Sequence, residues 1–433
     1  MAEYHLDPLP VNAVSVGKGL SFGAELRRIR IARGLSLGDL ARGLHFSKGY
    51  LSKVETGARR PNVQFARACD TLLEAGGALV AIAQVKQDVQ SHELIDPHRI
   101  LSFGSELIGA VPASAIQLLS QDRVAATSFE TLFVELRRMG RLVSSHLIDH
   151  ALAQQTRMLV AAAYQANGVL RTRLFDLAAR FAEYTGWMLQ ESGAEHEALA
   201  WTTKAEQIAE ANHDAVMGVQ ALVRRALFAL YRGDAQVVIE LAGEASDSPL
   251  APTWLRAQAF QRLAQGCALA GESDATYRAL DKAAELTVNA DMPGSRLRLG
   301  PMTVANLLAF NTAWCLVDLG HGQRAAEILD REFYKLTADT RRARARTGMR
   351  RALAHAIGGS VEQACVIVQE ILPDVICIQS ATINTDVARV YRTLVRWQGR
   401  AVVADVLPKL AEVLHTGARW APSVRGFGDE RRP

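Results

Sequence analysis

The chain is 433 residues long, 49% hydrophobic, and carries a net charge of +4. That length predicts two to three structural units with material for a large core, and the absence of Gly/Pro enrichment or low-complexity tracts excludes a fibrous or largely disordered protein. No apolar stretch approaches the about 20 residues that span a bilayer, and MAEYHLDPLPVNAVSVGKG lacks the apolar centre of a signal peptide, so a cytoplasmic protein with no membrane partner is expected.

Residues 1–20 read as a disordered N-terminus. The next segment, 21–84, shows short apolar-periodic runs separated by turn signals. Phe22, Leu26, Ile29 and Ile31 recur at helical spacing between Arg27, Arg28, Arg30 and Arg33, and Gly34 ends that helix. Ser36 caps a second short helix, Leu37 to Arg42, with Asp39 three residues on. Ser47 is the next candidate cap. A third helix, about Lys48 to Thr56, turns Leu51 and Val54 inward, and Gly57 stops it. Pro61 and Asn62 open a fourth. A short helix, a tight turn and a second short helix can set a recognition helix in the major groove. Charge agrees: residues 21–62 hold nine Lys/Arg against three Asp/Glu, so the rest of the chain is slightly acidic. Phosphate neutralisation needs that concentration. The alternative is a basic four-helix domain that binds a protein.

The words RGLSLGDLA, HFSKGYLSKVETG and the trailing RRP make residues 21–75 resemble the Cro/repressor (XRE) helix-turn-helix family, in a variant similar to actinobacterial regulators. The resemblance implies a lambda-repressor-like fold and a double-stranded DNA operator as partner. It places Ser47, Lys48, Gly49 and Tyr50 at base edges, with Ser52 and Lys53 one turn on. Lysine can donate to guanine, and a tyrosine can meet a thymine methyl or a phosphate. Arg59 and Arg60 would contact backbone phosphates. The family also pairs an arginine of helix one with a glutamate of helix three, here Arg30 and Glu55. Many members carry a phosphate-binding glutamine where this chain has Leu37, so that contact would fall to Ser36 or to backbone amides.

Residues 85–112, with Asp96-Pro97 and Val111-Pro112, read as a linker. From 113 to 417 the pattern is helical throughout, and 418–433 reads as a disordered tail. Gly193, Gly233, Gly271, Gly320, Gly359 and Gly399 recur 38 to 49 residues apart, each between two helical runs. Such a period denotes stacked helical hairpins, an α-solenoid with a concave face lined by the first helix of each pair. The expected fold is therefore all-α: a helix-turn-helix domain plus a tetratricopeptide-like solenoid. Trp187, Trp201, Trp254, Trp314 and Trp397 fall at core positions. Polar residues on first helices are the candidate ligand contacts: Asn306, Asn311, Arg256, Arg262, and Arg224 with Arg225. The run RRARARTGMRR, 341–351, forms no single stripe and reads as a solvated helix or a groove wall neutralised by distant carboxylates.

The scattered cysteines Cys69, Cys267, Cys315, Cys365 and Cys377 form no CxxC pair and read as buried small residues in a reducing compartment. No phosphate loop, nucleophile elbow or HExxH word is present, so neither an enzyme nor a cofactor is expected. The joined architecture resembles the peptide-pheromone receptors of Gram-positive bacteria. That implies a homodimeric transcription regulator whose array senses a peptide or small ligand, as in quorum sensing. Two alternatives stay open: a DNA-tethered interaction scaffold, and a constitutive regulator whose array only dimerises.

Overall fold

A computed structural model describes residues 22–44, 46, 48–56, 63–73, 75–80, 82, 113–288 and 306–420. The expectations for 1–20, for the linker 85–112 and for the tail beyond Trp420 lie outside these residues. The chain divides into two compact units, Met1–Asp96 and Pro97–Pro433. Among the described residues every regular element is an α-helix or a short 3-10 turn, with no strand.

The first unit holds α1 (Phe22–Ala32), α2 (Leu37–Gly43), α3 (Lys48–Glu55) and α4 (Val63–Leu73). Helices this short are not stable alone, so a shared core must hold them. Phe22, Leu26, Leu40, Leu51, Val54, Phe65, Cys69 and Leu73 supply it. Gly34, at φ +69°, ends α1: its N–H donates to Ile31 O at 2.9 Å and that of Leu35 to Arg30 O at 3.1 Å. These are the two bonds of a Schellman cap. α2 opens on a full capping box. Ser36 Oγ accepts from Asp39 N at 3.1 Å, and Ser36 N donates back to the Asp39 carboxylate at 3.2 Å. Ile31 departs from its expected place on the apolar face and is 58% exposed. Five residues beyond Leu26, it has turned well away from the buried stripe.

In the second unit α5 (Ala113–Gln121), α6 (Arg123–Leu142) and α7 (Asp149–Gln165) precede a series of helical hairpins. The pairs are α8 (Gly168–Ser192) with α9 (Glu195–Glu210), α10 (Val216–Arg232) with α11 (Ala235–Asp247), and α12 (Thr253–Leu269) with α13 (Ser273–Val288). They continue with α14 (Leu307–Asp318) and α15 (Gly322–Phe333), α16 (Arg341–Ile357) and α17 (Val361–Ile378), and α18 (Ala381–Leu394) and α19 (Ala401–Trp420). The unit is an α-solenoid. Gly193, Gly233, Gly271, Gly320 and Gly359 all take positive φ, and each closes its first helix with the same pair of main-chain bonds. The residue after the glycine donates five positions back at 2.8–3.0 Å, and the glycine donates three positions back at 3.0–3.3 Å. Gly399 does not share this geometry; its turn is made by the 3-10 segment Val395–Trp397.

The first helices pack on one another, α10 on α12, α12 on α14, α14 on α16 and α16 on α18, and α18 returns to touch α8. Arg342 of α16 fastens this closure. Its Nε donates to Gly140 O at 2.7 Å and its Nη2 to Val143 O at 2.8 Å, satisfying carbonyls at the end of α6. Its Nη1 donates to Glu191 of α8 at 2.8 Å. The arginine run is thus no solvated helix. Arg342, Arg350 and Arg351 are buried, and Glu191, Asp386, Asp330 and Asp374 from other helices neutralise it. Trp201 and Trp314 are buried, whereas Trp187, Trp254 and Trp397 are half-buried. Four cysteines are buried as expected, but Cys377 is exposed, and its Sγ accepts from Arg341 at 3.0 Å.

Candidate nucleic-acid interface

The geometry of α3 follows from its sequence. Leu51 and Val54 point into the core, and Lys48, Gly49, Ser52, Lys53 and Thr56 are exposed. At 3.6 residues per turn the exposed positions fall within an arc of about 140°. The arc offers two ammonium groups, the hydroxyls of Ser52 and Thr56 and, at Gly49, a stretch of bare backbone. Nothing lies within 4 Å of where a Gly49 Cβ would stand.

An ion pair fixes the angle at which α3 presents this arc. Arg30 Nε donates to Glu55 Oε1 at 2.6 Å and Nη2 to Glu55 Oε2 at 2.9 Å, while Nη1 reaches Leu35 O at 2.8 Å. The side chains are 11% and 7% exposed. Two parallel charge-assisted bonds from a planar fork fix orientation as well as distance. A second constraint is steric, and nothing in the sequence pattern marked it. A Cβ on Gly23 of α1 would stand 2.2 Å from Val54 O and 2.7 Å from Glu55 O, so only glycine allows α1 and α3 to come this close.

Tyr50 is half-buried and belongs partly to the domain's own packing. It stacks on Phe46 with ring centroids 4.9 Å apart and meets Phe65 edge-on at 5.3 Å. Ser36 already uses its hydroxyl locally, accepting from Asp39 N and donating to the Asp39 carboxylate at 2.5 Å. Hydrogen bonds from Ser36 and the nearby Arg42 charge hold the Asp39 carboxyl below its ordinary range. Leu37 packs half-buried against the core. Ser47, Arg59 and Arg60 lie outside the described residues.

The structure separates the candidate ligand residues of the solenoid. Asn306 is the N-cap of α14, accepting from Ala309 N at 3.3 Å. Arg225 turns to α9 and donates to Glu206 at 2.6 Å. Arg256 donates to Ser246 O at 3.2 Å. Arg262 and Asn311, by contrast, meet inside the unit. Arg262 Nη1 donates to Gln265 Oε1 at 2.5 Å, Gln265 Nε2 donates to Asn311 Oδ1 at 3.2 Å, and Asn311 Nδ2 donates to Gln261 Oε1 at 2.6 Å. Arg224, next to Arg225, is buried in the same interior. Gln261 and Gln265 were missed, because isolated glutamines in an apolar helical run leave no distinct signal.

Among the described residues no helix is long and apolar enough to cross a membrane. No curated protein matches the chain. Residues 21–82 match the family described as a helix-turn-helix domain, which makes the first unit the DNA-binding part of a regulator.

Proposed function

We propose that the protein is a sequence-specific transcription regulator that binds its operator as a homodimer and responds to a peptide or small-molecule ligand through a tetratricopeptide-like array. The carrying observation is the exposed arc of Lys48, Gly49, Ser52 and Lys53 on α3, held in place by the Arg30–Glu55 fork. Exposed amine donors on a short, rigidly mounted helix suit guanine edges in a major groove. Ser47, Arg59 and Arg60 extend this reading to the helix start and to phosphate contacts. One head reads one half-site, so pairing two adds affinity and palindromic specificity. Exposed apolar side chains at Leu118, Val124, Leu147 and Val169 of the second unit supply surface for such pairing. The buried polar interior of the solenoid supports ligand binding, and the ligand must favour one arrangement of the dimer over another to act as a switch. This reading gives the chain no catalytic role.

The test begins with an operator recovered by mapping the protein's chromosomal sites. Fluorescence anisotropy then compares the protein with a Lys48→Ala, Lys53→Ala variant. Specific affinity is expected to fall at least tenfold, with helical content by circular dichroism unchanged. Undiminished specific binding would move recognition away from α3. Sedimentation of the bound complex tests the dimer: one chain per operator would contradict it.

A further inference from the structure

The inner wall of the solenoid has a surplus of guanidinium charge that its own carboxylates do not match. Arg224 of α10 is 6% exposed, and both its Nε and its Nη2 are shielded from solvent without a hydrogen-bond acceptor. Its ion-pair partner Glu183 stands 3.7 Å away, and the same carboxylate oxygen already accepts from Gln220 Nε2 at 3.3 Å. Arg262 of α12 is only partly buried as a residue, yet its Nε is shielded and has no acceptor. Among the described residues its guanidinium donates to a neutral partner, Gln265. A third guanidinium, Arg350 of α16, lies 3.5 Å over the Trp314 ring and donates to Asp386 at 3.1 Å and to the Tyr231 hydroxyl at 3.2 Å. Burial, and then the charges of Arg224 and Arg350, push Arg262 down to about 10 against the opposing pull of Tyr231. The Oε1 of Gln220 is also buried and without a donor.

Burying a guanidinium without a matched acceptor is among the costliest arrangements in a folded chain. The planar fork is also the side chain best shaped to take carboxylate or phosphate oxygens in pairs. We propose that the interior of the array binds a small molecule carrying a carboxylate or phosphate group, with Arg224 and Arg262 as its principal donors beside Tyr231 and Trp314. This deepens the regulatory reading above and rests on it. The size class follows from the closure of the inner wall. Facing helices are bonded to each other through Gln261, Gln265 and Asn311, Arg350 spans to Tyr231, and α18 returns to α8. A compact anion fits that enclosure better than an extended peptide lying along an open trough.

The test uses the full-length protein dialysed into chloride buffer, with inorganic phosphate and citrate as separate probes at fixed ionic strength. Titration calorimetry is expected to show saturable binding of at least one probe, accompanied by a rise in unfolding temperature. Which probe binds distinguishes phosphate from carboxylate. Affinity should drop at least tenfold in Arg224→Gln and in Arg262→Gln. It should be unchanged in Arg232→Gln, whose guanidinium pairs with Glu195 and is 58% exposed. No saturable binding of either probe, or equal binding by the two interior variants, overturns the proposal. Stability without any anion supplies a second readout: Arg262→Met should hold or raise the unfolding temperature. A clear fall would show that the guanidinium is already satisfied within the fold, and would overturn the proposal. Operator affinity is read separately, so an unaltered protein that binds its operator but neither probe sinks this inference and leaves the regulator standing.

Discussion

Glu191 concentrates the interactions that hold the second unit closed. It is 1% exposed and accepts from Arg342, Arg346, Ser380, Thr382 and Trp187 at 2.6 to 3.2 Å. Burial alone would raise its carboxyl. The charges of Arg346 and Arg342 and the two hydroxyl donors outweigh burial and hold it well below the usual carboxylate range. A depressed folded value means a stabilisation fully present above about pH 4.3 and lost as pH falls through the folded value. Glu191→Gln strands two guanidiniums beside a neutral group, so thermal unfolding at pH 7 should show a loss of about 3–5 kcal/mol. That gap should narrow as the pH is lowered, and a gap constant down to pH 3 would refute the ionic account. The sequence left room for distant carboxylates to neutralise the arginine run, but not for naming Glu191 among them. Glu191 lies 151 residues from Arg342 in the chain, and local spacing carries no trace of such a meeting. The Arg30–Glu55 pair was legible, because a resemblance to known regulators supplies the partner that spacing could not.

At the scale of a helix, the sequence was a better guide. The periodic residues Leu26, Leu40, Leu51 and Val54 are all buried, and Ser36 with Asp39 forms the capping box its spacing suggested. Patterns fail where a fit depends on an absent side chain. Gly23 and Gly49 look alike in sequence, yet one touches backbone and the other open space. Gly23→Ala must push α1 and α3 apart, and overpacking of this kind costs about 1–3 kcal/mol. Its unfolding temperature and operator affinity should fall together. Gly49→Ala should instead stabilise the first unit by up to about 1 kcal/mol through helix propensity. If Gly49 approaches base edges, operator affinity will fall in that variant while stability rises. Parallel changes in the two glycine variants would show that Gly49 has no contact of its own with DNA.

Across the whole chain, the recurring glycines announced a stack of hairpins, and five of the six adopt one shared turn. Their spacing could not reveal that the stack returns upon itself, since that depends on how far each pair rotates relative to the last. An open row of repeats behaves thermodynamically like a zipper: the outermost unit has one neighbour, frays first, and lets the rest peel away in sequence. Here α18, the inner helix of the final pair, is fastened to α8 through Ser380, Thr382 and Glu191. Peeling therefore has no inexpensive place to begin. Chemical denaturation of the second unit should then be a single sharp transition by several probes, and slow amide exchange should extend through α8 and α18 instead of fading toward them. Stepwise loss beginning at α18 would mean that the fastening is weaker than its geometry implies. A unit that melts only as a whole is also one in which an event at any single pair is felt by every other.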